Sequence, residues 1–174
     1  MQPALLFSLE IDHRIYQQDD QITLILQLND FPLDKVQQVF QTGQTSQVQF
    51  EVRLFNKSEG VWGFLGDQLL EEQNIIYNGS FDPFSNMYIL ETTTENNRTK
   101  SREYLEGMSF FSAFRSVRIS FPALPPRSSM AYLRLRVKFT PRLLMPPLNV
   151  LEPFLLDHQI TTEWTQVPIP KAET

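Results

Sequence analysis

A chain of 174 residues, 41% of them hydrophobic and 14 of them Phe, can close one core without a disulfide or a metal, since a chain this long buries roughly 70% of its unfolded surface. The formal charge of −5 argues against a general nucleic-acid binder, which carries an overall basic field. With no Cys and only 2 His, disulfides, thiol catalysis, zinc fingers and iron–sulfur ligation are excluded and a His-rich metal site has little to build on.

The chain opens on an alternation, with Leu5, Phe7, Leu9 and Ile11 on one side, that predicts a strand over residues 5–11. Residues 13–20 read as a polar turn ending in Asp19-Asp20, and residues 21–28 as a second strand with Ile22, Leu24, Leu26 and Leu28 inward. Asp30-Phe31-Pro32 opens a short helix. Asp30 is the expected cap, Leu33, Val36, Val39 and Phe40 form one face, and Gly43 ends it. Residues 47–55 return to period two, with Val48, Phe50, Val52 and Leu54 inward. Residues 56–66 read as a glycine-bearing loop and residues 69–78 as a strand. The run Asn78-Gly79-Ser80-Phe81-Asp82-Pro83 then carries turn chemistry before a partner strand over residues 87–94.

Residues 95–102, the most polar stretch, read as an exposed loop. Ser109 is placed to cap a short helix over residues 110–116, followed by a strand over residues 117–121 and a break at Pro122, Pro125 and Pro126. The clearest strand is the run over residues 130–140, MAYLRLRVKFT. Ala131, Leu133, Leu135, Val137 and Phe139 alternate with Tyr132, Arg134, Arg136, Lys138 and Thr140, so one face is apolar and the other cationic. Pro141, Pro146, Pro147 and Pro153 exclude a long regular helix after it. Residues 159–167 read as the last strand and residues 171–174 as a frayed tail. The pattern predicts an all-β fold, an antiparallel sandwich or partly open barrel of about 7–9 strands with two short helices, in one domain over residues 1–170.

Tyr132, Arg134, Arg136 and Lys138 form the candidate contact surface for an anionic partner, with Arg118 joining them if its strand pairs with theirs. The plainer reading of the same row is a solvated sheet face balanced by Glu51 or Glu163, its long basic side chains deterring edge pairing. Asp82, Glu71, Glu72 and Glu103 show no spacing that implies an acid–base pair, and no Gly-x-Ser-x-Gly elbow is present. The dipeptides Asp12-His13 and Asp157-His158 lie far apart in the chain, and Asn78 and Asn97 begin short sequons of little specificity. Trp62, Phe64, Phe81, Phe84 and Tyr88 read as core, or else as the lining of a pocket. No catalytic, cofactor or metal site is expected.

The second half resembles a bacterial family catalogued as domain of unknown function 4390. The resemblance rests on Tyr132-Leu133-Arg134-Leu135-Arg136, the leucine-proline stretch over residues 143–148, Thr162-Glu163-Trp164 and the Phe50-x-Val52-x-Leu54 strand. It implies an exported or membrane-anchored envelope protein, at times encoded beside sensor kinases, and brings no catalytic residues with it. No charged start followed by an apolar run is visible at Met1, and no stretch approaches the roughly 20 apolar residues that span a bilayer. The expectation is therefore a non-enzymatic periplasmic or otherwise exported β-domain. Its partner would be a protein or an anionic envelope component, not nucleic acid, with peripheral membrane contact open. The alternative is a carrier that holds a lipid or small apolar ligand between its sheets.

Overall fold

A computed structural model describes residues 9–18, 21–58, 66–96, 98–122, 131–143 and 159–170. Alternating apolar residues build two antiparallel sheets that do not close into a barrel. The smaller sheet has the order β1-β2-β7, from β1 (Glu10–Gln18), β2 (Gln21–Asn29) and β7 (Ser116–Pro122). The larger has the order β10-β8-β3-β4-β5-β6, from β3 (Thr45–Asn56), β4 (Gln68–Asp82), β5 (Met87–Thr94), β6 (Thr99–Tyr104), β8 (Ala131–Leu143) and β10 (Thr165–Pro168). The two-residue β9 (Ile160–Thr161) also pairs with β8. The chain passes from the first sheet to the second through helix α1 (Leu33–Gln41) and returns through helix α2 (Gly107–Phe114).

The core lies between the sheets. β2 contributes Ile22, Leu24, Leu26 and Leu28, β3 contributes Val48, Phe50 and Val52, and β8 contributes Leu133, Leu135, Val137 and Phe139, all fully buried. Each such side chain stabilises the fold by about 1.5–3 kcal/mol through burial. The helices close the space the sheets leave. α1 buries Val36, Val39 and Phe40, and α2 buries Phe110, Phe111 and Phe114. Their rings meet, with Phe40 edge-on to Phe110 at 5.6 Å and Phe110 stacked on Phe114 at 5.5 Å.

The sandwich shape and both helices follow the sequence pattern, but several boundaries differ. Ten strands, one of them of two residues, form among the described residues, against an expected number of about 7–9. Residues 13–18 continue β1 instead of turning, because β2 offers them a full ladder from Glu10↔Asn29 to Gln18↔Gln21. The turn expected from Asn78 falls later, at residues 83–86, so that β4 runs through Gly79 to Asp82. Gly79 serves packing here: a Cβ on it would lie 2.8 Å from Phe110 Cζ and 2.9 Å from Phe114 Cε2. Residues 99–104 form a strand, so the loop expected over residues 95–102 gives way to β6 from Thr99 on. Asp30 does not cap α1; it takes a φ of 51° in the turn, and Pro32 stands at the N-cap. Gly43, at φ 71°, ends that helix as expected. Glu106, not Ser109, stands at the N-cap of α2. Phe81 and Tyr88 pack together against the core, whereas Phe84 is 99% exposed in the turn. Trp62, Phe64, Asn97, His158, the strand residues before Leu9, most of the proline-rich stretch and the tail lie outside the described residues.

Candidate functional site

The period-two reading of β8 places Tyr132, Arg134, Arg136 and Lys138 together on the outer face of the large sheet. Their cross-strand neighbours decide what they do there. β3 presents Phe55, Arg53, Glu51 and Gln49 on the same face, opposite Tyr132, Arg134, Arg136 and Lys138 in turn. Arg136 Nε donates to Glu51 Oε2 at 2.7 Å, its Nη2 also reaches that oxygen, and Lys138 Nζ lies 2.5 Å from Glu51 Oε1. Gln49 Nε2 donates to the same Oε1 at 3.0 Å. Burial works against the charged form of Glu51, but the bonds from Lys138 and Arg136 outweigh it and hold the carboxyl below its ordinary value.

The remaining members of this face are also engaged. Arg53 Nε donates to Glu72 Oε1 at 2.8 Å. Trp164 covers the middle of the row, with Arg136 4.4 Å and Arg53 4.7 Å from its ring centre. Thr162 fastens that segment to β8 through its N–H to the Val137 carbonyl at 2.9 Å and its hydroxyl, which accepts from the Val137 N–H at 3.0 Å. Tyr132 stacks on Phe55 at 5.4 Å and donates to Asp67 Oδ2 at 2.5 Å. Arg134 lies over the Phe55 ring at 5.2 Å and is the exposed cation of the row. Arg118 does not join them: β7 pairs with β2 in the other sheet, where Arg118 faces Ile25.

A second cationic set forms on the opposite side of the large sheet, where the small sheet does not reach. β7 stands over β4, to which it is tied by Gln73 Nε2 donating to the Ser120 carbonyl at 3.1 Å. Beyond β4 the inner face of β5 and β6 is roofed by α2, whose Phe110 packs on Tyr88 at 5.1 Å and Tyr104 at 5.9 Å. A cleft of about 640 Å³ remains. The register fixes what lines it. Leu90 is buried on the inner face and sits opposite Arg102, while Thr92 sits opposite Lys100. Thr94 N–H donates to the Arg98 carbonyl, which places Arg98 two residues before Lys100 on the same side. The carboxylates of this hairpin fall on the other face, where Glu91 is opposite Ser101 and Glu103 is opposite Ile89.

Arg98, Lys100, Arg102 and Arg118 line the cleft, together with Tyr77 and Tyr104 and the apolar Ile75, Leu90 and Val117. Among the described residues no ion pair ties any of these four cations to a carboxylate. Burial pushes the Tyr77 phenol above its ordinary value, against the pull of Arg102. Among the described residues, the one serine hydroxyl in this lining, that of Ser116, donates to the Ser112 carbonyl at 2.7 Å and not to a base. The cleft offers cations, hydroxyls and ring faces, the equipment of a binding site for an oxygen-rich anion. Of the described residues expected from the sequence to form a site, only Arg118 lines it. The signal for the others is present at residues 98–104, where Arg98, Lys100, Arg102 and Tyr104 alternate with Thr99, Ser101 and Glu103.

Among the described residues no group of three or more His, Asp or Glu is placed to hold a metal ion, and no helix is long and apolar enough to cross a membrane. Fold and cleft together define a two-sheet β-domain with a cationic open flank. Compared with sequence-family models, with curated proteins and with solved structures, the chain matches none.

Proposed function

We propose that the chain is a non-catalytic binding domain that takes an anionic part of a macromolecular partner into the open flank of its sandwich. The observation that carries this reading is the set of four cations lining one cleft with no carboxylate partner among the described residues. Four like charges held this close repel one another, and an anionic ligand relieves that repulsion as it binds. The outer face of β8 is a weaker candidate, because Arg136 and Lys138 already share Glu51. The family resemblance supports placing such a domain in the bacterial envelope, exported or anchored, with a regulatory role beside a sensor kinase. Separation of the host's periplasmic and cytosolic fractions tests that location.

Calorimetric titration with tripolyphosphate at low salt tests the cleft. The double variant Lys100→Glu, Arg102→Glu loses the binding heat, and Arg134→Glu on the outer face keeps it. Loss with Arg134→Glu and retention with the cleft variant would move the site to β8. The apolar floor of Ile75, Leu90 and Val117 favours a second reading, a carrier for an amphiphile with an anionic head. Native mass spectrometry of protein from its own host separates the two: a retained lipid supports the carrier, and a bare mass counts against it.

A further inference from the structure

Among the described residues, β6 pairs with β5 only, and β7 pairs with β2 only. Each therefore carries an unpaired row of backbone N–H and C=O groups along one edge, ready to template another strand. The cations of the cleft belong to these two edges. On β6 and at the residue just before it they recur at every second position, so Arg98, Lys100 and Arg102 follow one another about 7 Å apart and span about 13 Å. A single phosphate or carboxylate bridges two such groups at most. An extended peptide repeats its same-side residues at that same 7 Å interval, because it shares the geometry of the strand.

We propose that the free edge of β6 accepts an extended segment of a partner protein that carries Asp or Glu at alternate positions. This deepens the cleft reading and rests on it: the anionic partner is an acidic peptide strand. Its backbone completes the ladder that β6 leaves open, and its acidic side chains face inward beside Arg98, Lys100 and Arg102. Arg118 of β7 also lines the cleft they enter. The intervening residues of the segment face outward with Thr99, Ser101 and Glu103, so uncharged polar or basic residues suit them. The same cations that keep neutral strands off this edge select for the acidic one, which unites protection and specificity in one device.

The probe is a labelled peptide of 6 residues, the length of β6, alternating Glu and Thr. It is compared by fluorescence anisotropy, on the full chain, with a peptide of the same composition arranged in two blocks. The alternating peptide is expected to bind at least about tenfold more tightly, as three matched cross-strand pairs imply. It should also slow amide exchange in β6, and a version N-methylated on its edge-facing amides should bind no better than the block peptide. That last comparison needs no variant of the protein. Equal affinity for both arrangements, no added protection of β6 and competition by tripolyphosphate would overturn strand addition while leaving an anion-binding cleft. Failure of both peptides and of tripolyphosphate to bind would overturn the cleft reading as well.

Discussion

Glu51→Gln decides whether the cationic row of β8 is a docking face or one half of an internal ion cluster. Only 9% of the Glu51 side chain is exposed, against 27% for Arg136 and 24% for Lys138. Removing one member of a buried ion pair costs about 3–5 kcal/mol, because the survivor keeps its desolvation without its partner. Here the two cations keep about a quarter of their surface in water, which rehydration exploits, so the expected loss is about 2–3 kcal/mol. At about 2–4 °C per kcal/mol for a chain of this length, the melting temperature at neutral pH falls by roughly 5–10 °C. Arg134→Gln, at an exposed member of the same row, moves it by no more than about 2 °C. Differential scanning calorimetry of the three proteins is sufficient. A shift below about 2 °C for Glu51→Gln would refute the cluster and return Arg136 and Lys138 to the list of groups free to bind a partner.

The same pair of proteins predicts a pH dependence of known sign. The Glu51 carboxyl is held below its ordinary value of 4.5, since the bonds from Lys138 and Arg136 outweigh the opposing effect of burial. The folded state thus takes up this proton at lower pH than the unfolded chain does. The contribution is complete above the unfolded value and disappears as pH falls through the folded one. Asp67 and Asp82, also held low by their hydrogen bonds, lose their contributions in the same acid range in both proteins. The difference in melting temperature between wild type and Glu51→Gln therefore isolates Glu51, and it narrows as the pH is lowered below 4.5. A gap that stays constant down to the acid transition would show that the carboxylate charge is not what holds the cluster.

Three further outcomes follow from packing and hydrogen bonding. Gly79→Ala drives a methyl against the buried rings of Phe110 and Phe114, so it destabilises by about 1–3 kcal/mol, read as a lower denaturation midpoint at unchanged slope. Phe114→Ala empties a fully buried site and costs about 3–5 kcal/mol; it also loosens α2, the roof of the cleft, so tripolyphosphate affinity falls with it. Asp67→Asn removes the carboxylate to which Tyr132 donates at 2.5 Å. The Tyr132 phenol, raised by burial and then by Asp67, moves down toward its ordinary value, as followed by ultraviolet titration against the unchanged remaining tyrosines.

β8 was legible because its two faces differ in hydrophobicity: Leu133, Leu135, Val137 and Phe139 against Arg134, Arg136 and Lys138. β6 was not, because neither of its faces is apolar. Arg98, Lys100 and Arg102 look inward over a cleft and Thr99, Ser101 and Glu103 look outward, so the period shows in charge and not in hydrophobicity, the contrast by which a strand is ordinarily read. The strand forms because β5 supplies a ladder, which is a tertiary fact. Gly79 misled for a similar reason. Its sequence context signals a turn, while the residue is there to admit two rings from α2. Charge followed the same rule. Lys and Arg were visible on both strands, but their fate was set across the sheet: β3 places Glu51 against Arg136 from 85 residues away, whereas β5 places Leu90 and Thr92 against Arg102 and Lys100. One alternating cationic strand is thereby partly neutralised within the fold, and the other keeps all its charge. The proposed docking surface lies where cross-strand pairing has left the cations without carboxylates.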